Sequence, residues 1–265
     1  MLRPAQRLKR LVNSARKNWL IARVEGSLRS MTTVGRLERE GTAVFKAFKL
    51  VGAMGDYLEF GAFEGGSFIG AYYAARDVIR EVTSEKWEHS FADRDASKAG
   101  FRKAWDEMRF IAFDSFEGMP EPRGVDTLFE AFPRGSYACS EEQFRANLRR
   151  ASVPLDKVVT VKGFFEETLN ETTARRIGLR RAAVIHIDSD LYESAKRALD
   201  FVTPYLCDGS VVIFNEWYQF HGNPTLGEQR AFAEWRAEHP EWLVTEFQKE
   251  GAFLNSFILS RPRSA

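Results

Sequence analysis

The sequence predicts an α/β protein: a doubly wound, Rossmann-like, mostly parallel sheet closed by an antiparallel C-terminal hairpin. Three observations predict it. From residue 36 onward, short runs rich in Val, Ile and Phe alternate with segments of helical periodicity, the pattern of successive β-α units. AVIHI (183–187) carries apolar residues on both of its faces, as expected of a strand covered on both sides. WLVTEF (242–247) and NSFILS (255–260) flank a turn around Gly251 and read as an antiparallel pair.

Taken in order, residues 1–35 stand apart as a basic amphipathic helical extension, and residues 36–265 form the main domain. Arg3, Arg7, Lys9, Arg10, Arg16, Lys17, Arg23 and Arg29 face only Glu25, while Leu8, Leu11, Val12, Ala15 and Trp19 recur at helical spacing. Such a stripe is first a packing surface, so the extension is expected to lie on the domain or over its site as a lid; a membrane surface is the alternative. Val44, Ala47, Phe48 and Val51 predict a helix over 36–51. YLEFG (57–61) is a strand and SFIGAYYAARDVIREV (67–82) a helix. Residues 84–107 are polar, with Trp87, Phe91 and Trp105, and read as a helical or irregular insertion before the strand RFIAF (109–113). Pro120, Pro122, Gly124, Pro133 and Gly135 mark 116–138 as a loop beside a site. Ser140 with Gln143 forms a capping box for a helix through Leu148. The strand VVTV (158–161), a short helix near 165–177, the AVIHI strand, a helix over 191–205 and the strand SVVIF (210–214) follow. Thr225 with Glu228 forms a second capping box, opening a helix over 226–238.

Composition narrows the function classes. Hydrophobic residues make up 44% and charged residues 28%, the balance of a soluble globular protein. A formal net charge of +1 gives no field that would favour nucleic acid. Cys139 and Cys207 are the only cysteines and lack metal-ligand spacing, so unpaired thiols and a reducing, cytoplasmic location are expected. No apolar run reaches membrane-spanning length, and the basic N-terminus lacks a continuous apolar segment of the secretory type.

Chemistry concentrates at the C-terminal ends of the strands, where open α/β sheets bind ligands. LEFGAFEGGSF (58–68) places Gly61, Gly65 and Gly66 between a strand and a helix, together with Phe63 and Ser67. Glycines there let backbone N–H groups approach a ligand. The spacing is G-x-x-x-G-G rather than the dinucleotide G-x-G-x-x-G, and Glu59 before it suits a cationic group better than a pyrophosphate. FDSFEGMPEP (113–122) brings Asp114 and Ser115 to the tip of the second strand, where an acid can accept both ribose hydroxyls. VKGFFEETL (161–169) supplies Gly163 for close approach and Phe164 or Phe165 for packing on an adenine face. HIDSDLYES (186–194) ends its strand in Asp188 and Asp190, two acids that call for a nearby cation or a proton-transfer task. Asp190 with Glu193 also has the spacing of a helix cap.

These four segments resemble the macrocin O-methyltransferase family, class I S-adenosylmethionine-dependent enzymes that methylate sugar hydroxyls in natural products. The likeness runs from about residue 36 to the C-terminus, and D-S-F-E-G-M-P with I-D-S-D-L-Y-E-S is its most specific part. The resemblance implies a class I methyltransferase fold, S-adenosylmethionine as cofactor and a sugar or glycoside hydroxyl as acceptor. It also implies a homodimer. It further implies a magnesium ion held by Asp188, itself also a cofactor-side candidate, and by two residues after the fifth strand, with Asp190 as general base.

The sequence departs from that pattern at one point. The fifth strand ends in Asn215 and Glu216, where the family has two aspartates. Magnesium takes oxygen ligands in an octahedron, so a lost charge and a longer side chain predict weaker metal binding or none. His221 is then a candidate base for a metal-free enzyme. His186, inside its strand, reads as a core histidine. Phe129, Phe132, Tyr137, Trp217, Tyr218 and Phe220 are candidates for an acceptor pocket. The alternatives are a catalytically inactive methyltransferase-like scaffold in glycan or natural-product assembly and, further off, a nicotinamide-dependent oxidoreductase.

Overall fold

Two strands, Asp56–Phe60 (β1) and Ala182–Ile187 (β4), have every residue buried, because helices cover both faces of the sheet they centre. The computed structural model describes residues 54–84, 94–128, 133–250 and 252–262, with Ala43, Lys46 and Ala47. The expected extension over 1–35, most of the helix expected over 36–51, Trp87, Phe91, Phe129 and Phe132 lie outside the described residues.

The remaining strands are Phe110–Asp114 (β2), Val158–Lys162 (β3), Leu206–Phe214 (β5), Leu243–Glu250 (β6) and Leu254–Ser260 (β7). They form one seven-stranded sheet in the order β3-β2-β1-β4-β5-β7-β6. Strands β1 to β5 run parallel, and β7 enters antiparallel between β5 and β6. Strand order reverses between β1 and β4, which opens a crevice at their C-terminal ends.

The period-2 alternation of strands splits the core into two layers. Tyr57, Phe110, Val184 and Val211 pack on one face with Phe68 and Ala71 of helix Gly66–Val82 (α1). Leu58, Phe60, Ile111, Phe113, Ile185 and Ile187 pack on the other. That second layer is covered by Tyr192–Val202 (α6) and Gly227–Glu238 (α7), through Phe201, Phe232 and Trp235.

The insertion takes the helical of its two expected forms over Arg94–Glu107 (α2), with Trp105 packed on Tyr72 and Phe110. The helix over Glu141–Arg150 (α3) starts where expected, with the Gln143 amide donating to Ser140 Oγ at 3.1 Å. The helix expected near 165–177 is two pieces, Phe165–Thr168 (α4) and Glu171–Ile177 (α5), because Asn170 caps the second by accepting from Thr173 N–H. Helix α6 ends at Val202, where Pro204 opens a 3₁₀ turn. Thr225 does not cap α7. Its hydroxyl turns back to Asn223 Oδ1, Leu226 is the N-cap, and Glu228 is spent elsewhere. Both cysteines are free thiols.

Candidate active site

The site is built where β1 and β4 end side by side. Gly61 follows β1 with φ 89°, and a Cβ there would stand 1.9 Å from the Asp188 carbonyl oxygen, so only glycine lets the two strand tips meet. Gly65, also at positive φ, is the N-cap of α1, and a Cβ on it would meet the Phe144 ring at 3.0 Å. Gly66 is the first helical residue. Asp114, from the tip of β2, fastens this turn. Its Oδ2 accepts from Ala62 N–H at 2.7 Å and Phe63 N–H at 2.9 Å, and its Oδ1 from Phe116 N–H at 2.7 Å. Ser115 Oγ donates to the Gly118 carbonyl and shapes the loop that follows.

These elements border a cavity of about 640 Å³. Gly61, Phe63, Asp114 and Ser115 line one end; Phe164 and Phe165 also line it, Phe165 meeting Phe60 edge-on at 5.8 Å. Asp188, Asp190 and Glu216 line it from β4 and β5. Seven residues predicted for the cofactor, base or metal are not in its wall, Asn215 among them. Glu59 is fully buried, accepting from Ser67 Oγ at 2.5 Å and Tyr57 Oη at 2.6 Å, so it braces the start of α1 rather than facing a cation. Ser67 is its partner and is turned inward with it. Gly65 and Gly66 shape the turn from behind. Gly163 makes the tight entry to α4, with a Cβ there 2.7 Å from Thr168 Cγ2. His221 is exposed on a 3₁₀ turn at φ 58° and is absent from the cavity wall, so the structure does not bring the expected alternative base into the cavity. His186 is the core histidine expected, with Nδ1 3.2 Å from Tyr57 Oη.

Among the described residues, the aromatic acceptor wall expected from the sequence is represented by Tyr137, which meets Phe63 edge-on at 5.9 Å. Trp217 packs into the core against Phe214 and Phe257, because it follows β5 directly and turns under β7. Tyr218 and Phe220 are also absent from the wall among the described residues, and Phe220 packs over Gly227. The loop contributes Met119, Pro120, Arg123 and Arg134 instead, and α6 contributes Arg197.

Asp190 is not a helix cap. The first amides of α6 are taken by Asp126, a buried residue of the 3₁₀ turn Gly124–Leu128. Its Oδ1 accepts from Tyr192 N–H at 2.9 Å and its Oδ2 from Glu193 N–H at 3.2 Å. Nothing local in the sequence marks Asp126, since its partners lie more than sixty positions away. Asp190, freed from capping and held at φ 58°, faces the cavity and accepts from Gln219 Nε2 at 3.3 Å. Burial, then the neighbouring Asp188 and Glu216 charges, pushes its carboxyl up to about 7. Burial also raises Glu216, against hydrogen bonds from Gln219 and Asn215 that lower it. Glu228, fully buried behind them, accepts from Glu216 N–H, and burial lifts its carboxyl well above the usual range.

The metal ligands expected on resemblance do not assemble. Asn215 stands between Asp188 and Glu216 with its NH₂, not its carbonyl, toward them: Nδ2 is 3.1 Å from Asp188 Oδ1 and 2.9 Å from Glu216 Oε1. Among the described residues no group of three or more His, Cys, Asp or Glu side chains is arranged to hold an ion. A donor set with N–H groups at its centre does not fit a divalent cation that demands oxygen ligands.

Known proteins resemble this chain in sequence and fold. The model of the macrocin-O-methyltransferase (TylF) family matches residues 99–240. A Streptomyces olivaceus protein, 8-demethyl-8-(2,3-dimethoxy-alpha-L-rhamnosyl)-tetracenomycin-C 4'-O-methyltransferase, is 33% identical over 171 residues. That match covers 63% of this chain and 54% of the relative, so the chain spans about half the length of the curated relative it matches. Among solved structures, the O-methyltransferase NovP superposes with a TM-score of 0.62 at 22% identity, over 85% of this chain and 80% of its own. The calicheamicin methyltransferase CalS11 does so with 0.62 at 20% identity, over 97% and 94%. At these identities the two structures establish a shared fold, that of class I O-methyltransferases. No helix among the described residues is long and apolar enough to cross a membrane.

Proposed function

The chain belongs to the macrocin O-methyltransferase family, and on that premise we propose that it is an S-adenosylmethionine-dependent methyltransferase acting on a hydroxyl of a sugar or glycosylated small molecule. One observation carries the reading: a cavity at the β1–β4 crevice is lined both by Asp114, the acid at the tip of β2 where a ribose would be expected, and by Asp190, a buried acid of raised pKa. The rhamnosyl group in the name of the Streptomyces olivaceus relative supports a sugar acceptor.

The residues present fit the cofactor. Asp114 faces the cavity with one acceptor position, on Oδ1, beyond the three given to backbone amides, and Phe164 offers an apolar wall beside it. When bound, S-adenosylmethionine supplies a methyl group on a sulfonium sulfur and leaves as S-adenosylhomocysteine. The protein's part is to position and to move one proton. In this reading Asp190 accepts the hydroxyl proton as the acceptor oxygen bonds to the methyl carbon and the carbon–sulfur bond breaks. Gly61 and the Asp114-bound amides hold the turn still, so that the reacting atoms meet in line. The antiparallel β7 between β5 and β6 separates this sheet from the all-parallel dinucleotide fold and speaks against the nicotinamide alternative.

Calorimetric titration with S-adenosylhomocysteine tests the reading. One-site binding is expected; no binding would remove the activity and favour a non-catalytic scaffold. Asp114→Ala is expected to weaken that binding by about 1–3 kcal/mol, since it removes the ribose acceptor and leaves the Ala62 and Phe63 amides unpaired. Unchanged affinity would take Asp114 out of the cofactor site.

A further inference from the structure

The acids at the tips of β4 and β5 are joined by two primary amides. Each NH₂ has two hydrogens, and both are used. Asn215 Nδ2 donates to Asp188 Oδ1 at 3.1 Å and Glu216 Oε1 at 2.9 Å. Gln219 Nε2 donates to Glu216 Oε2 at 2.8 Å and Asp190 Oδ1 at 3.3 Å. The result is a continuous chain, Asp188–Asn215–Glu216–Gln219–Asp190, in which every junction is an N–H to a carboxylate oxygen.

The orientation of the amides is fixed by their neighbours. Turning Asn215 over would set its carbonyl oxygen against carboxylate oxygens on both sides, and the same holds for Gln219. A cation placed among these acids would need those carbonyls to point inward, at the cost of all four hydrogen bonds. An aspartate at position 215 would have no N–H to give, and its charge would have to be balanced by a cation. The asparagine therefore changes what can hold the acids together. Gln219 sits on the short turn that follows β5, close enough to extend the same device to Asp190.

We propose that Asn215 and Gln219 hold Asp188, Glu216 and Asp190 in place by hydrogen bonding, in the position a divalent cation would otherwise fill, so that this chain works without a metal. The statement about working rests on the methyltransferase reading; the statement about binding does not.

The two are separated by using the metal alone as probe. Mn²⁺ is titrated into the purified full-length protein and the free-ion EPR signal is followed, and S-adenosylhomocysteine binding is measured separately with chelator present. The expected result is no stoichiometric Mn²⁺ binding by the wild type. Asn215→Asp, which exchanges the bridging N–H groups for carboxylate oxygen, gains a Mn²⁺ site with affinity about tenfold or more above the wild type. Its S-adenosylhomocysteine binding reports that the variant is folded. Stoichiometric Mn²⁺ binding by the wild type that Asp188→Ala abolishes would overturn the proposal. An Asn215→Asp variant that folds and still binds no Mn²⁺ would overturn it too, since Asn215 would then not be what keeps the ion out. Loss of S-adenosylhomocysteine binding in the wild type would instead strike the methyltransferase reading, leaving the Mn²⁺ result to be read by itself.

Discussion

Asp190→Asn is expected to lower the rate of methyl transfer by about 10²–10⁴-fold while S-adenosylhomocysteine binding stays intact. Asparagine has nearly the same shape and keeps an oxygen to accept from Gln219, but it cannot take a proton. The loss falls on kcat because the group acts on the hydroxyl, not on the cofactor. Among the described residues the groups facing Asp190 are Asp188, Glu216, Glu228 and Gln219, and the charges that raise its carboxyl are those of Asp188 and Glu216. With its carboxyl pushed up to about 7, the wild-type rate should rise with pH through about 7 and level off above it. The same shift has a consequence for stability. A raised carboxyl binds its proton more tightly in the folded chain than in the unfolded one, so between the usual carboxylate range and about 7 stability falls as pH rises. Asp190→Asn removes that decline. Its melting temperature should therefore gain on the wild type from acid to neutral pH, as scanning calorimetry at pH 5 and pH 8 would reveal. A variant with full activity would leave Asp190 with no role in proton transfer.

What could be read from the sequence was what is local. The buried run at 183–187, the glycine turn at 61–66 and the Ser140 cap each depend on neighbours a few positions away, and each stands where the pattern put it. The terminal hairpin has a period-2 signal of its own and forms β6 and β7. The misreadings share a different cause. Glu59 lies in a strand, and nothing in the string EFGAF says that its side chain turns toward Ser67 rather than toward the cavity. Thr225 and Glu228 have the spacing of a cap, but the Glu216 amide across the crevice claims the carboxyl. Trp217 and His221 follow a strand end, where one more residue of turn decides between wall, core and solvent. Asn215 was visible as a departure, whereas Gln219, which completes the amide chain, became visible only once the turn after β5 had a shape.

Asp126 is the least visible of these residues, and its removal should be the most costly to the site after Asp190. Helix α6 begins directly after the Asp188–Asp190 turn, so the amides at its start fix where that turn sits. Asp126 reaches them from a loop that is also the roof of the cavity, through Met119, Pro120, Arg123 and Tyr137, and the adjacent Val125 packs against the core beneath. One carboxylate thus fastens the acceptor side of the cavity to the base. Asp126→Ala leaves the Tyr192 and Glu193 amides without a partner where water is largely excluded. It should cost about 2–3 kcal/mol in urea denaturation. Turnover should fall further than that loss of folded protein explains, because a base displaced by even about 1 Å can slow the reaction by about 10²-fold. Asp126→Asn separates the two effects. Burial pushes the Asp126 carboxyl up and the two amides pull it down, so its charge is not the main source of the grip. An asparagine keeps one oxygen for the Tyr192 amide and should restore much of the stability, with kcat recovering in step and KM for the cofactor unmoved. If Asp126→Ala melts and turns over like the wild type, the loop is not fastened to the base, and the roof and the acid pair would have to be treated as independent parts.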